Sequence, residues 1–272
     1  MLLCTDLDRT LIPNGEAPES AAARPLFRLL SALPEVRLVY VSGRDRSLVE
    51  QAIAEFELPM PEHVIADVGA TIYDLDGSAW QRSYAWENEI SPDWAGLDGP
   101  RLHALLADTE GLRLQEPQKQ GRFKLSYYTP LVWNQTAARV TIESRLQAMN
   151  VHANLIWSVD EAAEVGLLDI LPASANKLHA IEFLATGLGL AHADILFAGD
   201  SGNDIDVLIS PVPSVLVANA SDELRRQVLE AGGDVYPAEG GYLGMNGNYS
   251  AGILEGVAHY HADYDQWLRQ HV

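Results

Sequence analysis

The chain of 272 residues holds a single cysteine, Cys4, so no disulfide can form within it. Lysine is scarce: Lys119, Lys124 and Lys177 stand against fifteen arginines. Basic residues together number 18 against 38 acids, a formal net charge of −20. Such a charge repels a nucleic-acid backbone and an anionic membrane, and excludes both as expected partners. No apolar run is long enough to span a bilayer, and no basic region followed by a long apolar stretch marks a signal peptide near Met1. The eight histidines show no metal-binding spacing. His259 and His261, expected within one helix, lie two apart and so do not share a face. Internal repeats and low-complexity tracts are missing. These absences lead to the expectation of a soluble, cytoplasmic and monomeric protein. The acidic, lysine-poor composition suits a saline or alkaline setting; a general bias toward arginine explains it equally well. Where lysine is this rare, the lysines that remain are candidates for sites that need an ammonium group.

Apolar residues make up 47% of the chain and are spread along it, enough for a sizeable core in one large domain or two smaller ones. Leu2 to Leu7, Val36 to Val41, His63 to Asp67, Asp194 to Ala198 and Val215 to Val217 read as short buried strands. Helices are expected over Ala21 to Ala32, Ser47 to Glu57, Lys177 to Thr186 and Ser221 to Glu230, with a final one beginning near Ser250. Thr71 to Leu75 and the segment around Trp80 read as a hairpin turning at Asp76-Gly77. The character changes near residue 81. Helices around Arg101 to Thr109 and Thr136 to Asn150 mix with strands at Phe123 to Tyr128, Ala153 to Ser158 and Gly166 to Leu171, which describes a small α+β unit. The organisation expected is an α/β core, residues 1–80 and 173–272, interrupted by an insertion at 81–172.

Ligands of open parallel sheets sit beyond the carboxyl ends of the strands, and three of the expected ends carry polar clusters. Asp6 and Asp8 alternate across Leu7; Ser42-Gly43-Arg44 follows the second strand; Gly199-Asp200-Ser201-Gly202-Asn203-Asp204 follows a later one. Asp6, Asp8, Asp200 and Asp204 together are costly without a cation, and clustered carboxylate oxygens suit a hard one, Mg²⁺ foremost. Singly, each acid reads as well as a helix cap or a solvated loop residue. The Thr10 and Ser42 hydroxyls, with backbone amides after Asp6 and around Gly43, can cradle a phosphate. Lys177, at the expected start of a helix, can reach that phosphate or stand as an ordinary exposed lysine. A carboxylate nucleophile with a cation and a lysine is one route to phosphoryl transfer, and a second carboxylate, Asp8, can serve as acid and then base.

In their order and spacing these segments resemble the four motifs of the haloacid dehalogenase superfamily: Asp6-Leu7-Asp8-Arg9-Thr10-Leu11, Ser42-Gly43-Arg44, Lys177, and Gly199 through Asp204. The resemblance implies a Rossmann-like α/β core with a parallel sheet, Asp6 as nucleophile and Asp8 as acid/base. It implies Mg²⁺ held by the Asp6 side chain, the Asp8 backbone carbonyl and Asp200, with Asp204 in support. Ser42 and Lys177 would hold the phosphate, and Asn203 would line the site. The insertion resembles the large α/β cap of one subfamily. Within it the chain is most similar to sucrose-6-phosphate phosphatases, through Val68 to Tyr73, Lys124 to Tyr127, Leu168 to Pro172 with Asn176-Lys177, and Ser250 to Glu255.

The implied activity is hydrolysis of a sugar phosphate, sucrose 6-phosphate first, with other glycosyl phosphates such as mannosylfructose phosphate or glucosylglycerol phosphate as alternatives. A sugar phosphomutase and a non-catalytic sugar-phosphate-binding module are the remaining readings, and a sugar-phosphate synthase is the protein partner they leave room for. Substrate contacts are expected from Arg44, Gly69, Ala70 and Lys124. Arg44 serves equally as a helix cap or the partner of a carboxylate. Asn134, Tyr127 and Trp157 are further candidates, the latter two reading more readily as core.

Overall fold

The computed structural model describes residues 1–77, 79–160 and 163–272. The chain divides into two compact units, Met1–Arg82 with Lys177–Val272, and Ser83–Asn176. In chain order the first unit opens with β1 (Leu2–Thr5), α1 (Ala23–Ser31), β2 (Arg37–Val41), α2 (Arg46–Glu55), β3 (His63–Ala66), β4 (Thr71–Asp76) and β5 (Ala79–Arg82). The second unit follows: α3 (Tyr84–Ile90), α4 (Gly99–Leu106), β6 (Arg113–Leu114), β7 (Leu125–Thr129), α5 (Gln135–Ala148), β8 (Ala153–Asp160) and β9 (Val165–Pro172). The first unit then resumes with α6 (Lys177–Gly187), β10 (Ile195–Gly199), α7 (Ile205–Leu208), β11 (Ser214–Leu216), α8 (Asp222–Ala231), β12 (Val235–Pro237), α9 (Ser250–Tyr260) and α10 (Ala262–Gln270).

In the first unit, eight strands among the described residues form one sheet in the order β12-β11-β10-β1-β2-β3-β4-β5. From β12 to β3 neighbouring strands are parallel, and β4 and β5 add an antiparallel edge. β1 is buried at every position, as a central parallel strand covered on both faces requires. Helix α1 buries Ala23, Leu26, Phe27 and Leu30, a spacing of three and four residues that lays one apolar stripe on the sheet-side core. The strand order reverses between β10 and β1. In such sheets that reversal opens a crevice at the carboxyl ends, and here Asp6 follows β1 and Asp200 follows β10.

The second unit is an antiparallel sheet in the order β6-β7-β9-β8. Its helices bury Leu102 and Leu106 from α4, and Ala138, Ile142 and Leu146 from α5. Trp86 and Trp94 are fully buried there.

Several expectations are corrected. Helix α4 begins at Gly99 because Asp98 caps it, accepting from the Arg101 amide at 3.1 Å, with Pro100 in the first turn. The strand expected over Phe123 to Tyr128 runs from Leu125 to Thr129. Helices α3 and α7 and the short strands β6 and β12 add to the expected elements. The closing helix is two helices. His261 is extended at φ −132°, ψ 97°, so it does not share a helix with His259, whose ring stacks on Tyr236 at 4.1 Å. Gly77 takes the turn conformation at φ 59°, while Ser78 lies outside the described residues. Among the described residues, no helix is long and apolar enough to cross a membrane.

Candidate active site

Asp6 leaves the end of β1 with its amide donating to the Ala198 carbonyl at 2.9 Å, which pins the start of the loop to β10. The residue is 4% exposed, and its carboxylate lies 3.1 Å from Lys177 Nζ. That ammonium also donates to Asp204 Oδ1 at 2.6 Å and to Asn203 Oδ1 at 3.1 Å. Lys177 is fully buried at the first position of α6. Burial works against its charge, but Asp204 and Asp6 overcome that cost and raise its pKa. The lysine is therefore cationic and locked among carboxylates, not the solvent-exposed residue the chemistry of lysine would default to.

The loop after β10 is shaped by Asp204. Its Oδ2 accepts from the amides of Asp200 and Ser201, each at 3.1 Å, and from the Ser201 hydroxyl at 3.2 Å. A side chain at position 199 would put its Cβ 2.7 Å from Asp204 Cγ, so glycine is what lets this carboxylate tuck beneath the strand end. With both oxygens engaged, Asp204 anchors the loop and Lys177. Asp200 is buried too, and takes the Thr10 hydroxyl on Oδ1 at 3.2 Å and Arg9 Nε beside Oδ2 at 3.3 Å.

Asp6, Asp200 and Asp204 each offer an oxygen within 4.8 Å of the others. Burial, reinforced by Asp204 and Asp200 and opposed by Lys177, pushes the Asp6 pKa up to about 8. Burial likewise lifts Asp200 to about 6 against the pull of Arg9. With all three acids ionised, one buried ammonium leaves the group short of positive charge. Oxygen donors with that deficit fit a hard divalent cation.

Asp8 sits differently. Arg44 grips its carboxylate with two hydrogen bonds, Nε to Oδ2 at 2.8 Å and Nη2 to Oδ1 at 2.7 Å. The Asn14 amide adds a third at 2.6 Å. Burial would raise the Asp8 pKa, but Arg44 outweighs it and the net direction is down. Of the readings open for Arg44, the carboxylate partnership is the one its hydrogen bonds to Asp8 display. Ser42 lies beyond β2, fully buried, with its Oγ accepting from the Arg44 amide at 3.2 Å. Gly43 faces Asn203: a Cβ there would lie 3.9 Å from Asn203 Nδ2. Gly69 follows β3 at φ 100°, in the region that favours glycine, after Asp67 and Val68 at φ 55° and 57°. Ala70 is buried beside it.

The first unit holds every expected catalytic, phosphate and metal residue, and Gly69 and Ala70 as well; Asp6, Asp200 and Asp204 cluster with Lys177, while the Asp8 carboxylate is turned to Arg44. Lys124 belongs to the second unit, where it is buried 3.9 Å from Asp169. In that unit Tyr127 is core, 1% exposed; Trp157 packs on Trp133 at 5.3 Å; and Asn134 caps α5, accepting from the Ala137 amide at 3.0 Å. Three residues at the site escaped sequence reasoning. Arg9 faces Asp200, Asn14 bridges Asp8 and the Arg9 amide, and Asn219 donates to the Arg9 carbonyl at 2.6 Å. Arg9 and Asn14 lie in or just after the first acidic cluster, where proximity was the available signal. Asn219 carries none, since only the fold brings it there.

A family model described as sucrose-6F-phosphate phosphohydrolase matches residues 1–261. A HAD-like hydrolase of Nitrosococcus oceani is 48% identical over 275 residues, covering 98% of this chain and 74% of the relative. The mannosylfructose-phosphate phosphatase of Agrobacterium fabrum is 30% identical over 230 residues, 82% of this chain and 85% of the relative. Among solved structures, the sucrose-phosphatase of Synechocystis sp. PCC6803, in complex with sucrose and phosphate, shares the fold at a TM-score of 0.70 and 24% identity, across 96% of this chain and 97% of that one.

Proposed function

Because the chain belongs to the sucrose-6F-phosphate phosphohydrolase family and is a phosphatase of the haloacid dehalogenase type, we propose that it hydrolyses a glycosyl phosphate, sucrose 6-phosphate foremost, on Asp6 with Mg²⁺ as cofactor. The observation that carries this reading is the buried Asp6 carboxylate, held 3.1 Å from Lys177 Nζ in a group of acids with too little positive charge.

In the proposed cycle an Asp6 oxygen attacks phosphorus and the bond from phosphorus to the sugar oxygen breaks. The electron pair leaves with that oxygen, which takes a proton from Asp8. Water then attacks the aspartyl phosphate and gives its proton to Asp8, so that phosphate departs and the Asp6 carboxylate is restored. Asp8 is gripped by Arg44 and Asn14 as an anion, so carrying a proton requires loosening that grip; Arg44 is assigned the positioning of Asp8. Lys177, Ser42, Thr10, Gly43 and Asn203 are assigned to the phosphate. Asp6, the Asp8 carbonyl and Asp200 would hold Mg²⁺, with Asp204 in support, and the bound ion would offset charge on the phosphoryl oxygens. The inserted unit, with Lys124, is assigned to sugar selection.

Identity to the mannosylfructose-phosphate phosphatase favours a second reading, another glycosyl phosphate as substrate. The deciding experiment is phosphate release from sucrose 6-phosphate beside a panel of monosaccharide and disaccharide phosphates, with Mg²⁺ and with chelator. Strong Mg²⁺-dependent preference for sucrose 6-phosphate is expected. Preference for another glycosyl phosphate would move the substrate and keep the chemistry, whereas undiminished release in chelator would remove Mg²⁺ from the reading.

A further inference from the structure

Arg9 adopts a conformation that its side chain disfavours, at φ 58°; left-handed backbone is costly for a residue with a Cβ and persists where surroundings impose it. Here both ends are tied. The Arg9 amide donates to Asn14 Oδ1 at 2.8 Å, and its carbonyl accepts from Asn219 Nδ2 at 2.6 Å. The aliphatic stem runs beside Gly15, where an added Cβ would stand 3.4 and 3.5 Å from Arg9 Cγ and Cδ. The result places Nε 3.3 Å from Asp200 Oδ2. The two partners differ in freedom. The Asp200 side chain is 3% exposed and the Arg9 side chain 56%, so the carboxylate is fixed while the guanidinium has solvent to withdraw into.

We propose that Arg9 is a built-in counter-ion of the cation site, pairing with Asp200 when no metal is bound and giving way when one arrives. The inference rests on the reading of Asp200 as a cation ligand. A carboxylate that ligates a divalent ion offers less to a guanidinium, and the ion repels that guanidinium across a few ångströms. The pair therefore stabilises the metal-free protein selectively, and by linkage whatever stabilises the free form weakens binding of the ion. Arg9 sets the affinity for Mg²⁺ downward and offsets part of the acidic charge between turnovers. Its location suits this role better than structural support, because a half-exposed side chain contributes little packing.

The test is calorimetric titration of Mg²⁺ into chelator-stripped protein, as wild type, Arg9→Gln and Arg9→Lys, with thermal unfolding of each in the stripped and Mg²⁺-saturated states. Arg9→Gln is expected to bind Mg²⁺ roughly two- to fivefold more tightly, the range a half-exposed ion pair supports. Its stripped form should melt lower while its saturated form melts with wild type. Arg9→Lys retains the charge and should stay near wild type in both measurements. Unchanged or weaker Mg²⁺ binding by Arg9→Gln, or equal loss of melting temperature in both states, would overturn the inference while leaving the cation site intact. Failure of the wild type itself to take up Mg²⁺ would overturn the cation site, and the role of Arg9 with it.

Discussion

The two units bury charge in different ways. In the inserted unit the buried charges shown in pairs have opposite partners: Glu87 receives Arg122 at 2.8 Å, and Lys124 lies 3.9 Å from Asp169. In the first unit Asp6, Asp200 and Asp204 crowd around Lys177, three acids to one buried ammonium. Glu255, also in the first unit, shows that acid burial alone does not distinguish the site. It is satisfied by neutral donors, the Tyr236 hydroxyl at 2.9 Å and the amides of Glu239 and Gly240 at 3.0 Å. Balanced or well-hydrogen-bonded burial holds a fold together, whereas unbalanced burial costs stability and persists where the charge has chemical use.

The largest effect that can break this contrast is at Asp6. Asp6→Asn keeps the size and much of the hydrogen bonding while removing the attacking anion. Turnover should fall by on the order of 10³ or more, as removal of a nucleophile does elsewhere, with an unchanged circular dichroism spectrum. Appreciable residual phosphate release without deamidation back to Asp would end the nucleophile assignment.

The second test sharpens the contrast through pH. The Asp6 pKa is raised from 3.8 to about 8, so the folded metal-free protein holds a proton there that the unfolded chain releases. The associated stability is complete below about 3.8 and is lost as pH rises through about 8. Stripped wild type should therefore lose melting temperature steadily relative to stripped Asp6→Asn as pH rises from about 5 to about 8.5. Saturating Mg²⁺ should flatten that difference by favouring the anion. Parallel wild-type and variant curves in chelator would show that Asp6 is not the group carrying the strain.

The same asymmetry explains what is legible in the sequence. Residues at one parallel strand end lie next to one another in the chain, so Asp6 with Asp8, Ser42 to Arg44, and Gly199 to Asp204 stand out as clusters in the amino-acid order alone. Lys177 stands out through scarcity. Which acid each of Arg44 and Arg9 meets is not legible, because Asp8 and Asp200 become their partners only after the sheet assembles. Asn219 is 210 residues from the carbonyl it supports, and no local pattern encodes such a pairing. In the inserted unit, short elements give weak periodicity. Strand β6 has two residues and helix α3 seven, too few for a repeating apolar pattern to show.

Lys124 tests whether a balanced pair can also serve recognition. Lys124→Ala should raise KM for the preferred sugar phosphate by roughly tenfold, the value of one charged hydrogen bond, and leave KM for a generic aryl phosphate nearly unchanged. Equal effects on the two substrates would return Lys124 to a structural role beside Asp169. Unfolding measured alongside separates the two, since deleting one partner of a buried pair also lowers stability.

Asn134 offers the smallest effect and the cleanest contrast with Lys124. By residue type it is a candidate for a sugar hydroxyl, yet its Oδ1 accepts from the Ala137 amide at 3.0 Å and so closes the first turn of α5. The free amides at a helix start are best satisfied in this way, and removing such a cap costs about 1 kcal/mol. Asn134→Ala should lower stability by that amount in chemical denaturation, and Asn134→Ser, another good cap, should restore most of it. KM for the sugar phosphate should be the same in all three proteins. A rise in KM that Ser does not rescue, with stability unmoved, would make Asn134 a ligand contact and give the inserted unit a recognition residue at the very start of α5.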